Sequence, residues 1–164
     1  MVITTKAGFP RWRGPYGTGG NRKYRTSSLD ASLARLGLDY VDIFYHHRPD
    51  PETPIEETCY ILHQFVERGK ALYIGISNYN REQTEAAVRV FRELKTPFVL
   101  NQVCYNMLDR TIEENGLKDY AAEAGFGIVV YSPLAQGLLT ERYTHGIPAD
   151  SRMRKSGSLK EEKL

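Results

Sequence analysis

Short apolar runs rich in β-branched and aromatic residues alternate along this chain with segments whose apolar residues recur at helical spacing. The runs VITTK (2–6), YVDIFYHH (40–47), ALYIGISN (71–78), FVLNQV (98–103) and GIVVYS (127–132) have the length and residue types of buried strands. Between them, leucines 29, 33 and 36 and, further on, apolar residues 55, 59, 62, 65 and 66 each line one face of a predicted helix, over 27–37 and 53–69. Segments 80–94 and 116–125 predict two more. The helix over 53–69 carries its own boundary signals: Thr53 as cap, Pro54 at the first position, Glu56 to complete a capping box and Gly69 to end it. Strand and helix therefore alternate through five strands and four helices, an order that predicts a parallel sheet with right-handed crossovers.

Polar side chains gather where each strand finishes: Lys6, His47, Ser77 with Asn78, Gln102, and Tyr131 with Ser132. A β/α barrel builds its active site from several strand ends on that face. An open dinucleotide-binding sheet would carry a Gly-x-Gly-x-x-Gly turn after a strand, and the glycine-rich stretch GPYGTGG (14–20) matches neither that spacing nor a P-loop. It reads as a flexible loop. The pattern thus favours an arc of a barrel.

Two adjacent histidines end the second run. Because side chains alternate along a strand, Val41, Ile43, Tyr45 and His47 share one face while Asp42, Phe44 and His46 share the other. One metal ion would need both imidazoles on the same side, so the pair argues against a mononuclear metal site and against a zinc or manganese hydrolase. No metal is expected.

Composition adds limits rather than direction. At 164 residues with a net charge of +2, the chain reads as one domain with no global bias toward nucleic acid or an acidic membrane. The two cysteines, Cys59 and Cys104, read as reduced, buried thiols, and no apolar run reaches the length of a membrane span. With no signal peptide pattern, the cytoplasm is the expected location. Charge is uneven locally: Arg11, Arg13, Arg22, Lys23 and Arg25 fall between Ala7 and Leu29 with no acidic residue among them. This basic loop, 9–25, with Trp12, Tyr16 and Tyr24 interleaved, reads as a lid over a substrate, with Arg11, Trp12 and Arg13 as its contacts; a solvated loop is the alternative, and nucleic-acid binding a weaker one because the patch is short.

Five of these segments, VITTK, LGLDYVDIFYHHRPDPETP, GKALYIGISNY, VLNQVCYN and VVYSPLAQGLLTERY, occur in the order found in aldo-keto reductases. The chain resembles that family, and most closely its bacterial L-glyceraldehyde-3-phosphate reductase group, which is related to voltage-gated potassium channel β subunits. The resemblance implies a β/α barrel that reduces aldehydes and ketones with NADPH. It further implies that 1–164 is a single incomplete barrel domain holding about strands three to seven of eight.

By position, the resemblance matches Lys6 to the family's active-site lysine and His47 to its active-site histidine. Ser77, Asn78 and Gln102 match residues that hydrogen-bond the nicotinamide carboxamide, Tyr131 matches the aromatic stacked on the nicotinamide, and Ser132, Leu134 and Gly137 match the loop near the pyrophosphate. No role transfers to His46, which reads as structural. These types suit the chemistry: hydride delivery needs a fixed nicotinamide, and reduction builds charge on a carbonyl oxygen that a donor such as His47 can stabilise.

The family's proton-donating tyrosine and the aspartate paired with its lysine have no matching position here, and neither does its binding region for the adenosine 2′-phosphate. The sequence therefore predicts an inactive isolated chain that self-associates through open barrel edges, derived from a reductase of small carbonyl compounds. A non-catalytic, cofactor-binding regulatory module like the channel β subunits is the alternative.

Overall fold

The computed structural model describes residues 1–14 and 16–151. Its centre is one parallel sheet of five strands, β1 (Thr4–Ala7), β2 (Val41–His46), β3 (Ala71–Ser77), β4 (Phe98–Cys104) and β5 (Gly127–Tyr131). They lie side by side in chain order, and all four pairings are parallel. Sequential order without a reversal is what an arc of a β/α barrel requires, whereas a doubly wound sheet would turn back at a switch point.

Helices α1 (Arg22–Leu36), α2 (Ile55–Glu67), α3 (Arg81–Glu93) and α5 (Leu117–Ala124) occupy the crossovers. A one-turn helix, α4 (Thr111–Glu114), precedes α5, and two 3-10 turns, Ala135–Gly137 and Glu141–Tyr143, follow β5. The main core lies between the sheet and α1–α3: Phe44 meets Phe65 edge-on at 5.2 Å, and Ile74, Ile76, Ile61, Leu62 and Phe91 are buried around them. A second cluster, Val88, Val103, Ile112, Leu117, Ala121 and Phe126, seats α4 and α5.

The other face of the sheet is more open. Tyr73, in register with Ile43, is 46% exposed, and Val129 and Tyr131, in register with Gln102 and Cys104, are 38% and 39% exposed. Near its middle, Tyr45 lies across Gly75, where a Cβ would come within 2.8 Å of the phenol ring. A register shift beside Gly75 interrupts the pairing of β3 with β4. It lets Phe98 stack on Phe91 of α3 at 5.1 Å while Leu100 packs toward Gly75 on the opposite face.

Two helix boundaries differ from the sequence reading. Helix α1 begins at Arg22 rather than near Ser27, because Asn21 caps it: the Asn21 Oδ1 accepts from the Tyr24 N–H at 2.9 Å. At α2 the capping box of Thr53 and Glu56 does not form. Thr53 Oγ1 instead donates to Asp50 Oδ2 at 2.7 Å, and Pro54 becomes the cap position. Gly69, at φ 64°, ends that helix as expected. The capping box belongs to α3, where Asn80 and Gln83 exchange bonds. Of the two thiols Cys59 is buried as expected, whereas Cys104, at the end of β4, is only half-buried.

Candidate active site

Hydrogen bonds between neighbouring strand ends tie the C-terminal rim of the sheet together. The His47 N–H donates to the Ala7 carbonyl and the Asn78 N–H to the Gln102 carbonyl, each at 2.9 Å. Ser77 Oγ donates to the same Gln102 carbonyl at 2.8 Å. The Asn78 side chain bridges the remaining gap: Nδ2 donates to the His47 carbonyl (2.9 Å) and to Ser77 Oγ (3.1 Å), while Oδ1 accepts from the Tyr131 hydroxyl (2.7 Å). Asn78 sits at φ 62°, a left-handed conformation that asparagine tolerates better than most residues. That turn leaves Asn78 on the rim and sends Tyr79 into the core.

Lys6 Nζ donates to Gln102 Oε1. The two residues lie on β1 and β4, three strand spacings apart, or roughly 14 Å across a flat sheet. Curvature of the sheet brings these side chains within reach, as it does Tyr131 of β5 and Asn78 beyond β3. The rim thus gathers Lys6, His47, Ser77, Asn78, Gln102 and Tyr131.

His47 stands beside Lys6 and under the loop that follows β1. Phe9 meets its ring edge-on at 4.5 Å, and the Arg48 guanidinium lies over Phe9 at 4.4 Å while its Nε donates to the Gly8 carbonyl at 3.0 Å. A Cβ on Gly8 would fall 2.9 Å from His47 Cβ, so the loop passes this close only as glycine. Partial burial, together with the nearby charges of Lys6 and Arg48, lowers the pKa of His47 below the ordinary histidine value. At neutral pH it is an uncharged imidazole with one N–H to donate. Burial also lowers the pKa of Lys6. The phenol nearest to Lys6 among the described contacts is Tyr45, which presents its ring face, 5.3 Å from Nζ to the centroid, and whose pKa is raised by burial.

After β5 the backbone turns left-handed repeatedly: Ser132, Ala135, Gln136 and Gly137 have φ of 56°, 46°, 60° and 103°. The Ser132 carbonyl accepts from Asn106 Nδ2 (3.1 Å) and from the Ala135 N–H (2.9 Å), which holds the loop against the segment after β4. Leu134 is exposed within it.

The Arg11 guanidinium donates to the Ser27 carbonyl of α1 at 3.0 Å, Trp12 packs on Tyr24 with ring centroids 5.8 Å apart, and Arg13 is exposed. Sequence reasoning passed over Gly8 and Arg48 and took Phe9 only as the start of the basic loop; all three border His47. Their only signal was the direct adjacency of Arg48 to His47 and of Gly8 to the end of β1.

The aldo/keto reductase family model matches residues 1–163. Over 158 residues the chain is 52% identical to L-glyceraldehyde 3-phosphate reductase of Escherichia coli K12, covering 96% of this chain and 46% of that protein. It is 41% identical over 155 residues to a putative voltage-gated potassium channel subunit beta of Schizosaccharomyces pombe, covering 93% of this chain and 45% of that one. A crystal structure of a thermostable aldo-keto reductase in complex with the inhibitor epalrestat superposes with a TM-score of 0.75 at 36% identity, over 87% of this chain and 48% of the other. The chain spans about half the length of the relatives it matches. By sequence match and by superposition, this chain belongs to the aldo/keto reductase family, and its five-stranded sheet is part of that family's β/α barrel.

Proposed function

We propose that this chain carries the nicotinamide end of an NADPH-dependent reductase of aldehydes or ketones, acting in the cytoplasm. The observation that carries the reading is the convergence of Lys6, His47, Asn78, Gln102 and Tyr131 on one curved rim, linked by the Lys6–Gln102 and Tyr131–Asn78 bonds. A reduced nicotinamide, when bound, supplies the hydride. The chain's own residues orient and polarise. Gln102 and Asn78 offer amide donors and acceptors to a carboxamide, with Ser77 behind them as a hydroxyl that already donates to the Gln102 carbonyl. Asn78 must exchange one of its present bonds to do so. The half-exposed Tyr131 ring, held by its hydroxyl, offers a flat face for stacking. His47, neutral and next to Lys6, can donate to a carbonyl oxygen as negative charge grows there. Ser132, Leu134 and Gly137, in the left-handed loop, are the residues we assign to the pyrophosphate region.

The substrate class we favour is a small phosphorylated aldehyde, in keeping with the named activity of the Escherichia coli relative. For Arg11, Trp12 and Arg13 to reach it, Arg11 would have to release the Ser27 carbonyl. The isolated 164 residues should not turn over substrate, because the described hydrogen bond of Lys6 goes to Gln102 and Tyr45 offers it a ring face rather than a hydroxyl, and a placed general acid typically contributes about 10²–10⁴-fold. The same observation, with the channel β-subunit relative, supports a second reading in which the rim binds the cofactor without catalysis.

Titration of the chain with NADPH, followed by nucleotide fluorescence, tests the shared core of both readings. Binding that is weakened by Gln102→Leu is the expected result. Binding unchanged by that substitution would remove the rim from the account.

A further inference from the structure

Directly behind the rim runs a buried chain of polar side chains that the proposed chemistry does not use. His46 of β2 is 1% exposed and points into the helix layer, away from His47. Its Nε2 meets Arg25 Nη2 of α1, and its Nδ1 meets the Tyr79 hydroxyl at 2.5 Å. Arg25 is itself fully buried, and its Nε donates to the Gly20 carbonyl at 2.5 Å. Beyond Tyr79, whose backbone carbonyl accepts from Asn101 Nδ2 at 3.0 Å, the chain ends at Thr84 Oγ1, also 3.0 Å from that amide nitrogen. The members pair with the rim one residue at a time: His46 with His47, Tyr79 with Asn78, Asn101 with Gln102.

We infer that His46 is a positioning residue which, through its two ring nitrogens, clamps Arg25 of α1 to Tyr79 and so fixes from behind the strand ends that aim His47 and Asn78. A guanidinium can only donate, so Nε2 accepts, the ring proton sits on Nδ1, and Nδ1–H donates to the Tyr79 oxygen. An imidazolium could not accept from Arg25. The charges that act on His46 all oppose a proton there, Arg25 from α1 and His47 and Arg48 from its own strand end, and the phenol of Tyr79 is neutral, while Cys59 of α2 and the Asp50 carboxylate, in the segment after β2, act on Arg25 and Tyr79 rather than on the ring. The clamp matters for the site because Tyr79 follows the left-handed Asn78, whose Nδ2 is bonded to the His47 carbonyl. Loosening Tyr79 therefore loosens the bridge between β2 and β3 on which both rim side chains stand. At its far end the clamp reaches the loop after β1, since Gly20, which accepts from Arg25, donates its own N–H to Asp50 Oδ2.

This inference rests on the rim being the functional site, yet its test needs no nucleotide. Imidazole 15N–1H spectra of the 164-residue chain report the tautomer of each histidine, and side-chain amide spectra report Asn78. The wild-type chain should show one histidine fixed as the Nδ1–H tautomer with no titration down to about pH 5.5. Tyr79→Phe, which keeps the ring and removes the hydroxyl, should shift the His47 titration midpoint and lose the protected Asn78 Nδ2–H signals. His46→Leu should do the same, and His46→Gln, which can accept from Arg25 and donate to Tyr79, should restore both. If His46→Leu does not fold, the Tyr79→Phe and His46→Gln pair carries the test. An Nε2–H tautomer at His46, or unchanged His47 and Asn78 signals in Tyr79→Phe, would overturn the clamp. A failed NADPH titration beside intact histidine and amide signatures would instead remove the functional reading and leave the clamp standing.

Discussion

At the rim, the Tyr131 hydroxyl donates to Asn78 and the ring stays half-exposed, so removing the ring takes away one wall of the proposed nicotinamide site without opening the core. Tyr131→Ala should weaken NADPH binding by about 1–3 kcal/mol, the usual cost of an aromatic contact surface, with little change in melting temperature. His46 belongs to the opposite case. Its burial, and the charges of Arg25, His47 and Arg48, push its pKa well below the ordinary histidine value. The unfolded chain therefore takes up a proton below about pH 6.5 that the folded chain refuses, and stability is full above that point and falls as pH decreases, by roughly 1.4 kcal/mol per unit at most for this group. His47, also lowered, adds in the same direction. Denaturant midpoints at about pH 7.5 and about pH 5.5 should show this loss, and His46→Gln should flatten it. The alternation of side chains along a strand made the opposed histidines legible from sequence. The partners of His46 were not, because Arg25 lies a turn before the leucine stripe of α1, in line with the buried Ser28 and Ser32, and that polar row adds nothing to the apolar period.

Among the elements, the strands followed their apolar runs closely, since one face of each strand packs under the helices and the other face carries mostly apolar or aromatic residues as well. Helix starts followed them less well, because caps are decided by which side chain wins a local competition. At α2, Asp50 takes the Thr53 hydroxyl and the N–H groups of Gly20 and Glu52, and although burial works against its charge these bonds hold its carboxyl below the ordinary range. At α3, the Asn80 cap is intact, and Asn80→Ala should cost about 1 kcal/mol in chemical denaturation. Inside the sheet, Gly75 is the tightest point: a methyl group there would meet the Tyr45 ring at 2.8 Å and Leu100 at 3.3 Å. Gly75→Ala should destabilise the chain by about 1–3 kcal/mol, as overpacking does, measured the same way. The register shift beside it had no signal in the sequence, since Phe98 and Leu100 are both apolar and only the packing reveals that they face opposite ways.

For the molecule as a whole, the sheet of the described residues ends in two strands, β1 and β5, each paired on one side only among those residues, with Tyr73, Val129 and Tyr131 on the open face. Such edges expose backbone donors and acceptors that pair readily with another chain. Sedimentation should show self-association that grows with concentration, and a strictly monomeric chain would show that the edges are better protected than the sheet order implies. The barrel arc was legible because five strand ends carried polar residues in the order of a known family; the site's finer geometry was not, because curvature, which joins Lys6 to Gln102, is a property of the whole set of strands and of no single segment. The central claim is that this rim holds a nicotinamide. The most direct measurement is amide and side-chain chemical-shift mapping of the 164-residue chain during NADPH titration. The account predicts shifts centred on Asn78, Gln102, Tyr131 and the loop from Ser132 to Gly137; shifts confined to other surfaces, or none at saturating nucleotide, would contradict it.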